Sequence, residues 1–197
     1  MFDDEPILKP KLRAMGNAKI SGGAQQWGMP NTLFVSTSTS VLTANEVRYV
    51  PMLVRDHIKL TAFQFEVTAG PIGAALVSVG IYAADNDLQP SGAPLFDSGS
   101  ISVGIAFTGA KSQTGLSIDI PSGIYLVALN ADTAMTIRTL GSGTPVVVSA
   151  LGASPFGQRF SKSVAQGAFP NPGTAWDTIG ASAGGQQNIV VWQWSPA

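Results

Sequence analysis

The chain has no cysteine and a single histidine, His57. Disulfides, thiolate metal sites and cysteine nucleophiles are therefore excluded, and a metal site of the usual histidine-rich kind is not available. Charge is scarce as well. Asp, Glu, Lys and Arg make up 12% of the 197 residues, about half of the roughly 25% in an average globular domain. The net charge of −1 leaves no electrostatic footprint for nucleic acid. No apolar run is longer than a few residues, so no membrane span is expected. The acidic start, Met1-Phe2-Asp3-Asp4-Glu5-Pro6, precedes no long apolar run, and no signal peptide is expected.

What is present is apolar and β-branched. Hydrophobic residues are 45% of the chain and the mean hydropathy is +0.22. One domain with one substantial core is the expectation at this length. With so little charge to cover it, much of the surface is expected to face protein, as in a stable homo-oligomer. A neutral surface of Ser, Thr, Gly, Asn and Gln is the competing account.

Charged residues crowd the first thirteen positions: Asp3, Asp4, Glu5, Lys9, Lys11 and Arg13. From Met15 to Asn31 the chain is rich in Gly, Gln and Ala, without a period of 3.6 or 2. Residues 1–32 read as an extended N-terminal arm, with a disordered terminus as the plainer alternative. Trp27 and Met29 are large apolar groups that this arm cannot bury alone. Together with Lys9, Lys11 and Arg13 they are the candidates for attachment to a partner.

From residue 33 onward strand signals recur. Candidates are Leu33–Ser38, Glu46–Val54, Ile58–Thr68, Ala75–Ala83, Leu95–Val103, Thr114–Ile120, Gly123–Asn130, Ala134–Leu140, Val146–Ala150 and Asn188–Trp194. Val77, Val79 and Ile81 share one face, as do Leu116, Ile118 and Ile120. Within Ile58–Thr68 the apolar phase slips from Ile58 and Leu60 to Phe63, Phe65 and Val67, which predicts a bulge near Ala62. Gly70-Pro71, Pro90-Ser91-Gly92, Pro121-Ser122-Gly123 and Gly141-Ser142-Gly143 punctuate the runs. This is an all-β pattern, that of a sandwich over residues 33–197. Residues 151–187, with Pro155, Pro170 and Pro172, read as a long loop returning to the final strand, with a weak helical signal at Ser161–Gln166.

Reactive patterns are weak. Gly180-Ala181-Ser182-Ala183-Gly184 fits G-x-S-x-G, but that elbow belongs to an α/β sheet and needs a downstream histidine. Asp85-Asn86-Asp87 offers oxygens to a cation, yet the same residues suit a β-turn. A glycosidase pair would have to come from Glu66, Asp97, Asp119 or Asp132, which sit on separate elements. Trp192 and Trp194 share a face with Val190, as in a core or interface stripe. Trp176, in the long loop, is the better candidate for stacking on a sugar. No catalytic, cofactor or metal residue is assigned, and the protein is expected not to be an enzyme.

Four blocks carry a resemblance: Tyr49-Val50-Pro51, Gly80-Ile81-Tyr82, Leu95-Phe96-Asp97-Ser98-Gly99, and Ile120-Pro121-Ser122-Gly123-Ile124-Tyr125-Leu126-Val127-Ala128. In this order the chain resembles a domain of tail fibres, head fibres and capsid-decoration proteins of tailed bacteriophages. The resemblance implies an antiparallel jelly-roll-type β-sandwich with no catalytic residues. It also implies a non-enzymatic virion structural protein, made in the host cytoplasm and displayed on the particle surface. The expected state is a homotrimer decorating or cementing the capsid, with the major capsid protein, or a tail or connector protein, as partner. The alternative is a short tail-fibre or receptor-binding module recognising host surface carbohydrate, a host glycan being its ligand. The resemblance spans residues 33–197 and leaves the arm outside it.

Overall fold

The structure, a computed structural model, describes residues 26–28, 37–54, 56–140, 158–175, 178–181, 187–188 and 190–196. Among these the regular elements are all strands. In chain order they are β1 (Gln26–Gly28), β2 (Thr37–Leu42), β3 (Glu46–Val54), β4 (Ile58–Ala69), β5 (Ala75–Ala84), β6 (Pro90–Asp97) and β7 (Ile101–Val103). Then come β8 (Gly109–Ile120), β9 (Gly123–Ala131), β10 (Met135–Leu140), β11 (Gln158–Ser163), β12 (Thr178–Ala181), β13 (Gln187–Asn188) and β14 (Val190–Pro196).

They form two antiparallel sheets. Sheet I runs β1-β14-β4-β10-β13, with β2 also on β10 and β8 also on β4. Sheet II runs β12-β11-β3-β9-β5-β6, with β7 also on β5. One apolar cluster draws on both sheets. Phe63, Phe65, Ile137 and Trp192 come from sheet I, and Met52, Val79, Ile81 and Val127 from sheet II. The period-2 alternation read from the sequence therefore points one face of each sheet into a shared core. Each such side chain, fully buried, contributes about 1.5–3 kcal/mol. At the centre, Phe63 lies 5.4 Å from Trp192 and 5.8 Å from Phe96, ring centre to ring centre.

The expected slip near Ala62 is present. The register of β4 against β8 shifts between Leu60 and Ala62, and β14 shifts opposite the same residues, between Gln193 and Trp194. Against β14 the extra residue is Thr61, whereas against β8 three residues, Gly115 to Ser117, stand opposite Thr61 alone; the irregularity keeps both Leu60 and Phe63 pointing inward.

Several expectations need correction. The weak helical signal at Ser161–Gln166 is no helix: its first half is the end of β11, which pairs with β3 from Phe160↔Tyr49 to Ser163↔Glu46, and its second half is irregular. Residues 151–187 are not only loop, since β11 and β12 extend sheet II. The run Leu95–Val103 divides into β6 and β7, with Asp97 accepting a hydrogen bond from the Gly99 N–H at 2.8 Å to close the turn between them. The expected strand Leu33–Ser38 lies outside the described residues up to Ser36, and the strand found there is β2. Val146–Ala150 also lies outside them.

Candidate interaction surfaces

The central strands of sheet II, β3, β9 and β5, bury side chains on both faces, and the reason is chemical. The outer face of the sheet carries Val47, Tyr49, Tyr82, Leu126 and Ala128, a second apolar cluster completed by Leu88, Phe160 and Phe169. Residues 164–175 lie across this face as a strap. Phe169 packs onto Gly80 so closely that a Cβ there would sit 2.7 Å from the ring. Only glycine permits that approach. The Phe169 N–H donates to Asp97 Oδ2 at 2.9 Å, and the Tyr82 hydroxyl donates to the Pro170 carbonyl at 2.7 Å. The Tyr49 hydroxyl donates to the Thr174 carbonyl at 3.0 Å. At the other end Asn130 Nδ2 donates to the Val164 carbonyl at 3.1 Å, and Gln166 Nε2 to Ser78 Oγ at 2.9 Å. The strap is thus held both by apolar contacts and by several side-chain hydrogen bonds. Burial pushes the Tyr49 phenol up to about 12. Tyr82 is pushed higher still, by burial first and then by the neighbouring Tyr49 and Asp97.

A buried cation closes one corner. Arg48 is 1% exposed and reaches from β3 to the β2 region. Its Nε donates to Glu46 Oε1 at 3.0 Å, and its guanidinium also donates to the Val41 carbonyl and to Thr43 Oγ1. On the outer face of sheet I, Arg138 pairs with Glu66 through two hydrogen bonds at 3.1 and 2.9 Å. That hydrogen bonding holds the Glu66 carboxyl below its ordinary value.

The most conspicuous open surface is an end of the sandwich. The β4–β5 loop reads Gly70-Pro71-Ile72-Gly73-Ala74, and the approach to β8 reads Gly104-Ile105-Ala106-Phe107-Thr108. Neither carries a charge. The Ala106 N–H donates to the Pro71 carbonyl at 3.0 Å. Gly70 lies so close to the other loop that a Cβ would meet the Phe107 nitrogen at 2.4 Å. Ala106 holds a left-handed backbone, φ 54°. Phe107 turns back onto the core, with the Lys111 ammonium 4.3 Å from its ring centre. Ile72 and Ile105 project instead, at 97% and 68% exposure.

The residues singled out from sequence fare differently. Within the expected arm, Gln26–Gly28 pairs with β14, Trp27 opposite Gln193. Lys9, Lys11, Arg13 and Met29 lie outside the described residues, as does Trp176. Trp192 and Trp194 are buried in the core with Val190. Asp85 accepts from the N–H groups of Asp87 and Gln89, at 2.9 and 2.8 Å, as a turn residue does. His57 stands 3.8 Å from Asp119 with both side chains exposed. No group of three or more His, Cys, Asp or Glu that could hold a metal occurs among the described residues. Gly180 and Ala181 of the G-x-S-x-G stretch end β12, in an antiparallel sheet. The Ile72 and Ile105 end was missed because Gly70-Pro71 reads first as a strand breaker. The available signal was an isoleucine placed inside each glycine-rich turn.

Comparison of the chain with family models, with curated proteins and with solved structures finds no match.

Proposed function

We propose that the protein is a non-enzymatic structural component of a tailed-phage virion. In this reading a jelly-roll-type sandwich with an N-terminal arm decorates or cements the capsid exterior as a homotrimer. The observation that carries the reading is where the four resembling blocks fall. Tyr49-Val50-Pro51 is on β3, Gly80-Ile81-Tyr82 on β5, Leu95-Phe96-Asp97 on β6, and the block around Tyr125 opens β9. In sheet II these strands are consecutive neighbours, β3-β9-β5-β6. Blocks scattered over eighty residues of sequence therefore make one structural unit, and Tyr49, Gly80, Tyr82 and Asp97 all hold the same strap. The low charge supports an assembled rather than a solitary chain.

The test is to locate the protein on purified particles by gold-labelled electron microscopy, and to measure its mass in solution by sedimentation. Label over the capsid and a trimeric mass are expected. Label at the tail tip replaces the capsid reading with the fibre reading. Absence from the particle, or a monomer at micromolar concentration, overturns the corresponding half of the proposal.

A further inference from the structure

We propose that one water molecule is bound beneath the strap, bridging Asn130 of β9 to Ser78 of β5 and to the strap backbone at Gly167. The proposal stands apart from the virion reading.

Asn130 and Ser78 face each other directly where β9 pairs with β5. Both are buried, at 2% and 0% exposure. The orientation of the Asn130 amide follows from what its nitrogen touches. Nδ2 donates to the Val164 carbonyl at 3.1 Å and to the Ala165 carbonyl at 3.4 Å. The flipped amide would set Oδ1 against those two carbonyls, acceptor against acceptor. Oδ1 is thus committed to the other side of the amide, where it is buried and no donor among the described residues reaches it. Buried acceptors are paired, and where the protein supplies no donor an ordered water does so.

Ser78 and Gly167 supply the other partners. Ser78 Oγ accepts from Gln166 Nε2 at 2.9 Å and donates to the Gly167 carbonyl at 3.4 Å. The second bond is long, since O–H···O bonds cluster at about 2.7–2.8 Å. A water between these groups accepts the Ser78 proton at ordinary length. Its own two hydrogens then go to Asn130 Oδ1 and to the Gly167 carbonyl. About three such bonds is the usual complement of a buried water. The strap leaves room there, because a Cβ built on Gly167 meets no atom within 4 Å.

The same chemistry selects water over a metal ion. Two of the nearby groups, Asn130 Nδ2 and Gln166 Nε2, are donors, and no carboxylate takes part in these hydrogen bonds. Water can accept from Ser78 while donating to Oδ1, which a cation cannot do. The strap is then fastened at two points of opposite character, by the Phe169 ring on Gly80 and by a hydrated polar cluster at Asn130.

The experiment uses the full-length protein. High-resolution crystallography should show one water within about 3 Å of Asn130 Oδ1, also in contact with Ser78 Oγ and the Gly167 carbonyl. In solution, cross-relaxation from solvent to the Asn130 Nδ2 protons should carry the sign of a long-lived bound water. Ser78→Ala should keep the β signal and weaken that cross-relaxation only in part, because Oδ1 and the Gly167 carbonyl remain. Its complete loss in Ser78→Ala would mean that the Ser78 hydroxyl itself bonds Asn130, and overturns the water. So does a protein donor at Oδ1 in the crystal, or no density within hydrogen-bond distance of it. Melts in sodium, potassium and tetramethylammonium chloride at equal ionic strength are expected to coincide. A melt raised by sodium or potassium alone would make the occupant a cation, and overturns the proposal as well.

Discussion

Gly80 and Phe169 are locked in van der Waals contact, the glycine on β5 and the ring on the strap across it. A methyl group at position 80 would lie 2.7 Å from the ring. The neighbours of that ring are Tyr82, edge-on at 6.2 Å, and the backbone bond to Asp97. Gly80→Ala is therefore expected to cost about 1–3 kcal/mol, the range for overpacking a filled site. Urea unfolding measures it. In a Phe169→Ala background the same substitution should cost much less, because the two positions share one contact. Additive losses would mean that the strap does not press on Gly80.

Tyr49 and Tyr82 make the strap sensitive to alkali. Both phenols are raised above their ordinary value near pH 10 by burial, Tyr49 to about 12. The fold thus favours the neutral form. The associated stability is fully present below about pH 10 and is lost as pH rises through the folded values. Tyr125, the third and last tyrosine, is also raised by burial. Phenolate absorbance should appear late and together with loss of the β signal. Tyr82→Phe strands the Pro170 carbonyl, at a cost of about 1–2 kcal/mol, and should move the alkaline transition. Early, independent phenolate formation would place the rings in water.

Arg48 is predicted to be the costliest polar side chain to remove. Arg48→Met removes the guanidinium that donates to Glu46 and to the Val41 carbonyl. Breaking a buried pair from one side costs about 3–5 kcal/mol. Glu46 is only partly buried, so about 2–4 kcal/mol is expected here. Arg48→Lys should recover only part, because one ammonium cannot span Glu46, Val41 and Thr43 as the guanidinium fork does. Chemical denaturation of the three proteins checks the order.

The strands of this fold were legible wherever one face is buried. Alternation at Val77, Val79 and Ile81 and the phase slip at Ala62 specify both the face and the bulge. The strap was not legible, because its anchors are single residues without a period. Phe169 stands beside prolines, and its partners Tyr82, Gly80 and Asp97 are more than seventy positions away. β11 was hidden for a related reason. Gln158-Arg159-Phe160-Ser161-Lys162-Ser163 has one apolar residue, and its strand state comes from pairing with β3. The end bearing Ile72 and Ile105 was obscured because glycine and proline signal a turn without saying what the turn displays.

The arm gives a sharper test than composition alone could. Residues 1–32 read as a separable attachment segment, yet Gln26–Gly28 pairs with Trp192–Trp194 on β14. Removing residues 1–25 leaves that pairing intact. Removing residues 1–30 takes it away and bares the edge of β14, a strand otherwise paired to β4. Unpaired edges recruit other chains. The shorter truncation is therefore expected to keep its β signal and melting temperature, and, if the proposed virion role and the attachment reading of the arm hold, to lose occupancy on particles lacking the protein. The longer truncation should also melt lower and aggregate at micromolar concentration. Circular dichroism, light scattering and particle occupancy, measured on both, separate the two effects. Full occupancy by the shorter truncation would mean that residues 1–25 contribute nothing to attachment. Identical melts for the two truncations would mean that β1 contributes no stability to sheet I.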